Sequence, residues 1–349
     1  MKLGIVIISY NDQETLEQAI QSTAIFKKKN KIFIVLVDDC STDSTINIAK
    51  HAKKTNQIDA VHFNKRNLGA SSSRNIGINL CRDTDYITFL DADDLLLPSL
   101  SNIISKKNIY GDLITFKFNY FFYNRVVKNN FYKIDRKLEV KDIKEYMFNY
   151  LTKPNRYSLF TTCWAKLYKT KLLVSNKNLF FNEKMFICED TDFVFRFLAN
   201  SKSIQFINEP IYLHTLGIAN ENLKKLTFGV ELDINHQISF LTAVESCKKY
   251  LIRNGYNLSE IQNKVDHCIG SYTIIYTIRS CMKINSLSSF ISTYLFWKDL
   301  YKRKVLSSEM INYSYKKAGG RCLLPFLIRK KMYFIAILTA YFIAKKRYL

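Results

Sequence analysis

The sequence predicts an α/β protein in which a mostly parallel, Rossmann-like sheet is followed by a smaller all-helical region. Three observations predict it. Short apolar, β-branched runs recur at 3–8, 32–37, 61–64 and 86–90; helix-period stretches fill the gaps between them; and strand signals fade beyond about residue 216.

The run 3–8 is bounded by Ser9-Tyr10-Asn11 and reads as a buried parallel strand. The stretch 12–26 sets Leu16, Ala19, Ile20 and Thr23/Ala24 at helical spacing. A second strand over 32–37 leads to a helix over 41–54, whose Ser41-Thr42-Asp43 opening suits capping. A strand at 61–64, a helix at 69–81 and a strand at 86–90 ending on Asp91 complete the alternation. Sheets of this kind take ligands beyond the C-terminal ends of their strands. Ser9-Tyr10-Asn11, Asp38-Asp39 and Asp91-Ala92-Asp93 are therefore expected to converge on one edge. Beyond them, 112–123 reads as a strand with 131–140 as its partner, 141–152 as a helix and 204–212 as a closing strand. Segments 161–168 and 180–186 lie beside a second acidic cluster, Glu189-Asp190-Thr191-Asp192, which starts a helix through residue 199. Three long helix-like stretches then run to about residue 317. The expected organisation is a sheet domain over 1–216, a helical domain over 217–320 and a basic, apolar tail over 321–349.

Composition narrows the function. The chain has 349 residues, 48% of them apolar, which is ample for packed cores and excludes a disordered chain. Its 52 Lys and Arg exceed 30 Asp and Glu by 22, an excess that suits nucleic acid, an acidic membrane or a phosphorylated substrate. Eight scattered cysteines form no C-x-x-C or Cys/His cluster, so neither zinc nor a disulfide framework is indicated, and a reducing, cytoplasmic setting is expected. The six-residue run at 3–8 is too short for a signal peptide. Residues 301–349 carry twelve Lys or Arg and one acid, half of the whole excess. Within them, 332–344 is an uncharged stretch of thirteen, shorter than the ~20 residues a spanning helix needs. Framed by basic triplets and bearing Tyr333, Phe334, Tyr341 and Phe342, it reads as a helix lying in the interface of an anionic membrane at the inner face of the cell membrane.

The chemistry concentrates in the acids. Asp91 and Asp93, at i and i+2 just past a strand, suit one hard cation that also binds phosphate oxygens, because Mg²⁺ takes one or two carboxylates plus substrate phosphates. Asp94 reads as a helix cap. His214 sits where it can approach phosphates from the closing edge, and Trp164 and Tyr168 suit either core or acceptor platform.

Four motifs in order, Ile7-Ile8-Ser9-Tyr10-Asn11, the strand end Val37-Asp38-Asp39-Cys40-Ser41-Thr42-Asp43, the segment 67–77 containing Arg74-Asn75, and Asp91-Ala92-Asp93, resemble the nucleotide-sugar-binding half of inverting family 2 glycosyltransferases with the GT-A fold. The resemblance is close over roughly residues 1–100 and looser through Trp164-Ala165-Lys166-Leu167-Tyr168 and Cys188-Glu189-Asp190. Ser9 departs from the proline the family very often has. The resemblance implies that Ser9, Tyr10 and Asn11 border the donor base, that Asp39 with Asp38 accepts its hydrogen bond, and that Arg74 offsets phosphate charge. It implies Asp91 and Ala92 at the ribose or metal, Asp93 with Asp91 on Mg²⁺ or Mn²⁺, and Asp190 beside Glu189 as general base. The expected donor is a UDP-sugar and the expected acceptor a glycan or lipid-linked hydroxyl in surface-polysaccharide synthesis. The acid clusters are expected to stand apart, since close carboxylates raise each other's pKa. Nucleic-acid binding fits poorly, because the acids would repel phosphates and no reader motif appears. A sugar nucleotidyltransferase lacks its Gly-rich loop after the first strand; a non-catalytic scaffold and an oligomeric assembly stay open.

Overall fold

The computed structural model describes residues 1–27, 31–105, 109–122, 125–128, 135–152, 159–185, 187–215, 232–302 and 323–348. The chain divides into two compact units: Met1–Ile143, Leu159–Lys184 and Glu189–Leu223 in the first; Lys144–Ser158, Met185–Cys188 and Lys224–Leu349 in the second.

In the first unit, strands β1 (Lys2–Ser9), β2 (Lys31–Asp38), β3 (Ala60–Phe63) and β4 (Tyr86–Asp91) lie parallel in the order β3-β2-β1-β4. Their continuous apolar runs follow from burial on both faces; Ile5, Val6, Val35 and Leu36 are fully buried. Helices α1 (Leu16–Lys27), α2 (Thr45–Lys54) and α3 (Ala70–Leu80) make the crossovers. Helix α3 approaches β1 so closely that a Cβ on Gly77 would stand 2.1 Å from Val6 Cγ1.

Beyond β4 the sheet becomes mixed. It continues through β5 (Leu95–Leu96), β6 (Leu113–Phe122), β7 (Arg125–Lys128), β8 (Arg136–Leu138), β9 (Lys166–Lys169) and β10 (Ile204–Thr215), in the order β4-β9-β6-β10-β5. Strand β9 is antiparallel to both β4 and β6, which restores β6 and β10 to the direction of β4. The C-terminal ends of β1, β2, β4, β6 and β10 therefore share one rim. Two expectations change here. Of the segment 131–140 expected to pair with 112–123, residues 131–134 lie outside the described residues, and Arg136–Leu138 pairs antiparallel with Ile204–Phe206 of β10. Strand β10 is not the closing edge: it lies between β6 and β5 and runs on to Thr215. Helices α4 (Ser99–Ser105), α6 (Thr170–Ser175) and α7 (Glu189–Asn200) complete the connections, α7 carrying Glu189, Asp190 and Asp192 in its first turn, where the helix dipole favours them, while α5 (Val140–Thr152) passes into the second unit from Lys144 on.

The second unit contains α8 (Ile234–Arg253), α9 (Leu258–Ser280), α10 (Leu287–Lys302), a short helix Leu323–Arg329 and a terminal helix Tyr333–Tyr348. Asn257 and Glu260 form a capping box at the start of α9. Phe240 stacks on Tyr272 with centroids 3.5 Å apart, and Trp297 packs edge-on to Tyr276 while its Nε1 donates to Ser280 Oγ at 2.9 Å. Among the described residues, no helix is long and apolar enough to cross a membrane.

Candidate functional site

The turns after β1 and β2 are laced together. Asn11 N–H donates to Ser41 Oγ (2.9 Å), Asp12 N–H to Thr45 Oγ1 (2.8 Å), and Thr42 N–H to Asn11 Oδ1 (2.8 Å). Asn11 and Cys40 take left-handed backbone, φ 55° and 66°, a conformation that a short polar side chain tolerates better than most. This lacing leaves Tyr10 exposed at the rim.

Several side chains expected at the ligand are buried within the rim. Asp38 is fully buried and accepts from Ser41 N–H (3.0 Å), Ser41 Oγ (2.5 Å) and Ser9 Oγ (3.4 Å), so it fixes the β2 turn. Ser9 joins that network, and Ala92 is buried at the turn after β4. Asp39, also buried, accepts from Asn64 Nδ2 (2.7 Å), Leu68 N–H (2.8 Å) and Gly69 N–H (2.7 Å), and so positions the 64–69 turn that leads into α3.

Arg74 is the centre of the rim. Its guanidinium, 5% exposed, donates through Nη1 to Glu189 Oε1 and Asp190 Oδ1, both at 3.0 Å, and through Nη2 to Asp91 Oδ1 at 2.9 Å. Its Nε is buried without a hydrogen-bond partner among the described residues, and the guanidinium lies 5.3 Å from the Phe181 ring. Arg74, expected to offset phosphate charge, spends three of its five N–H donors on carboxylates. The expectation that the acid clusters stand apart gives way, because one buried cation bridges them and screens their repulsion. Asp190 is held from its other side by Cys163 N–H, 3.2 Å from Oδ2. Burial, and then the Asp190 charge, raise the Glu189 carboxyl to about 7 against the opposing pull of Arg74. The next residue on α3, Asn75, clasps Phe181 N–H and C=O and Glu183 Oε1 at 2.8–3.0 Å, fixing the chain that approaches α7.

The loop 162–164 that supplies the Cys163 N–H is braced from below. Lys166, fully buried on β9, donates to Thr162 C=O (2.7 Å) and Trp164 C=O (3.2 Å), and burial lowers its ammonium to about 7.

Asp94 is no helix cap: β5 follows it, and it anchors the end of β10 by accepting from Tyr212 Oη (2.6 Å) and Thr215 N–H (2.7 Å). His214 Nδ1 lies 3.0 Å from Asp94 Oδ2, and the ring stacks at 5.1 Å on Trp164, which in turn stacks at 4.6 Å on Tyr212. Burial disfavours the imidazolium, but Asp94 beside it and the Asp91 and Asp93 charges together raise its pKa. Trp164 is thus a buried member of a rim stack. The contact between Trp164 and His214, 50 residues apart, is one that no local spacing encodes.

Asp93 differs from the other rim acids in its partners. Among the described residues it accepts no hydrogen bond from another residue, and burial, then the Asp94 and Asp91 charges, push its carboxyl up to about 7. No group of three or more His, Cys, Asp or Glu among the described residues forms a ready metal cage. The donor set nonetheless fits a hard divalent ion whose other ligands come from substrate phosphates, which needs only one or two carboxylates.

Residues 4–173 match the family described as glycosyl transferase family 2. An uncharacterized glycosyltransferase of Methanocaldococcus jannaschii is 28% identical over 211 residues, covering 59% of this chain and 68% of that protein. A cholesterol galactosyltransferase of Borreliella burgdorferi is 26% identical over 221 residues, covering 60% of this chain and 59% of its own length. The chain thus spans roughly three fifths to two thirds of the length of these relatives. Among solved structures, residues 1–349 of Staphylococcus aureus TarS in complex with UDP-GlcNAc share the fold, with a TM-score of 0.63 at 16% identity, covering 99% of this chain and 92% of that one.

Proposed function

We propose that this chain, which carries a family 2 glycosyltransferase domain over residues 4–173, moves a sugar with inversion from a nucleotide-diphosphate sugar to a hydroxyl of a glycan or lipid-linked acceptor in surface-polysaccharide synthesis. The observation that carries the reading is the rim itself: Asp91, Asp93, Glu189 and Asp190 gathered with Arg74 beyond the ends of parallel strands, where such sheets take ligands. UDP is the nucleotide we favour, in keeping with the UDP-GlcNAc complex of TarS.

Tyr10, Asn11 and Asp39 are assigned to the donor base. Asp93 and the Asp91 oxygen not bonded to Arg74 would hold Mg²⁺ or Mn²⁺, which when bound supplies Lewis-acid charge to the departing diphosphate. Asp190 is assigned as general base: it takes the acceptor hydroxyl proton as that oxygen bonds to the anomeric carbon and the bond to the diphosphate breaks. Arg74 and Cys163 N–H hold its carboxylate in place, and neighbouring Glu189 shares the guanidinium. The tail 321–349 is read as the part that keeps the protein at the inner membrane face, near a lipid-linked acceptor.

The test incubates the full chain with a panel of sugar nucleotides, with and without Mg²⁺ or Mn²⁺, recording hydrolysis and thermal shift. The reading expects one donor to be hydrolysed in a metal-dependent way and the activity to vanish in Asp190→Asn. Absence of any donor-dependent shift or hydrolysis would overturn it.

A further inference from the structure

The terminal helix buries Ala336, Ile337, Ala340 and Ala344, yet carries no charge on any face from Met332 to Ala344. A helix apolar all round is ordinarily covered all round. Here Phe334, Ile335 and Phe342 stay exposed, Phe342 by 62%. Helix α10 adds a second uncovered surface: Leu287, Ile291 and Leu295 recur every fourth residue and so form one stripe, with Leu287 76% exposed. The two surfaces adjoin. Phe290 and Tyr294, each one position before a member of the stripe, lie edge-on to Phe334 at 5.6 and 5.7 Å. Basic groups frame the patch: Lys298 lies over the Tyr294 ring at 5.4 Å and Lys345 over Tyr341 at 5.5 Å, while Arg329, Lys330 and Lys331 lead into the terminal helix. Residues 323–348 contain no Asp or Glu, and α10 contains one acid, the exposed Asp299, four residues beyond Leu295 at the end of the stripe.

We propose that α10 and the terminal helix together form a bilayer-docking face, in which Leu287, Ile291, Leu295, Phe334, Ile335 and Phe342 enter the acyl boundary of an acidic phospholipid leaflet and the surrounding lysines take its headgroups. The proposal rests on the membrane reading of the tail and adds the α10 stripe, which the tail reading does not require. Charge selects the occupant. Apposing a second copy of this face would set lysines against lysines, whereas an anionic leaflet complements them and rewards each basic residue near its surface. Aromatic and aliphatic side chains beside snorkelling lysines are the composition that interfacial helices use.

The experiment measures sedimentation of the full chain with vesicles of phosphatidylglycerol and phosphatidylethanolamine, and with vesicles of phosphatidylcholine alone. The wild type is expected to bind the acidic vesicles and to be released by salt. The exposed-site variant Leu287→Gln/Ile291→Gln/Leu295→Gln is expected to bind them at least about tenfold more weakly, with unchanged melting temperature and helix content. If that variant binds like wild type while Phe334→Gln/Phe342→Gln loses binding, the two-helix face is wrong and the tail reading survives. If the wild type ignores acidic vesicles, both fail. A dimer that dissociates in the triple variant, without vesicle binding, would make a second copy the occupant and overturn the proposal.

Discussion

Replacing Arg74 with Met removes the rim's central cation while keeping most of its side-chain length. Three charge-assisted contacts disappear, two at 3.0 Å and one at 2.9 Å. Stripping one partner from a buried ion pair costs about 3–5 kcal/mol, because the remaining charge stays desolvated. The three acids are 17–25% exposed, so water recovers part of that loss, and about 3 kcal/mol at pH 8 is the expected destabilisation. The pH dependence identifies the cause. Without the guanidinium the clustered carboxyls titrate higher in the folded state than in the unfolded chain. The folded variant then holds protons that the unfolded chain has released, and its stability relative to wild type falls as pH rises through that window. Urea unfolding of both proteins at pH 5 and pH 8 should therefore give a smaller stability difference at pH 5, by roughly 1–2 kcal/mol, about one pKa unit of relief. A difference that is the same at both pH values would refute the view that Arg74 acts by compensating carboxylate charge. Arg74→Lys should fall between, since one ammonium cannot span three acids as a planar fork does.

Asp93→Asn removes a carboxylate that the fold holds at a raised pKa of about 7; above that pH the charge costs stability, so the variant at pH 8.5 should unfold at least as reluctantly as wild type, by ~1–3 kcal/mol, while sugar transfer is lost. A drop in stability would point to a structural role for the acid. Lys166→Met tests the buried ammonium, lowered to about 7. Between pH 7 and about 10 the unfolded chain holds a proton that folded Lys166 does not, so wild type gains stability with rising pH relative to the variant, by up to about 4 kcal/mol, measurable by urea unfolding. Gly77→Ala should cost about 1–3 kcal/mol through overpacking, since its Cβ would stand 2.1 Å from Val6 Cγ1; adding Val6→Ala should recover part of the melting temperature by clearing that atom.

The parallel half was legible because its strands are buried on both faces. Ile5, Val6 and Ile7, like Val35, Leu36 and Val37, leave no polar alternation to misread. The mixed half was less so. Arg136–Leu138 is a three-residue strand with no periodicity of its own, and its pairing with β10 is settled by tertiary packing. The rim acids were legible as a set, because strand ends expose where ligands gather, but their division of labour was not. Asp38 and Asp39 are adjacent in sequence, yet each has its own hydrogen-bond partners, which lie 3 to 30 residues away. The role of Arg74 depends on carboxylates 17, 115 and 116 residues distant, a distance no local spacing rule spans.

The distribution of charge separates the rim into two parts with different tasks. On one side Arg74 compensates Glu189 and Asp190, and Cys163 N–H adds a second restraint on Asp190. An acid held in this way is oriented, and orientation is what a proton acceptor facing a hydroxyl needs. On the other side Asp93 has no such partner among the described residues, and its carboxyl is pushed toward neutrality by burial and then by the acids beside it. Above about pH 7 that arrangement costs stability, which protonation or added positive charge relieves. Asp91 touches both parts, giving one oxygen to Arg74 and adding its charge to the field at Asp93. Neutralising Asp91 should therefore disturb both at once, whereas Asp93→Asn should leave the restraint on Asp190 intact. Comparing the pH dependence of Asp91→Asn and Asp93→Asn stability separates the two: a raised Asp93 pKa that persists in Asp91→Asn at its full height would show that burial and Asp94 alone create the deficit.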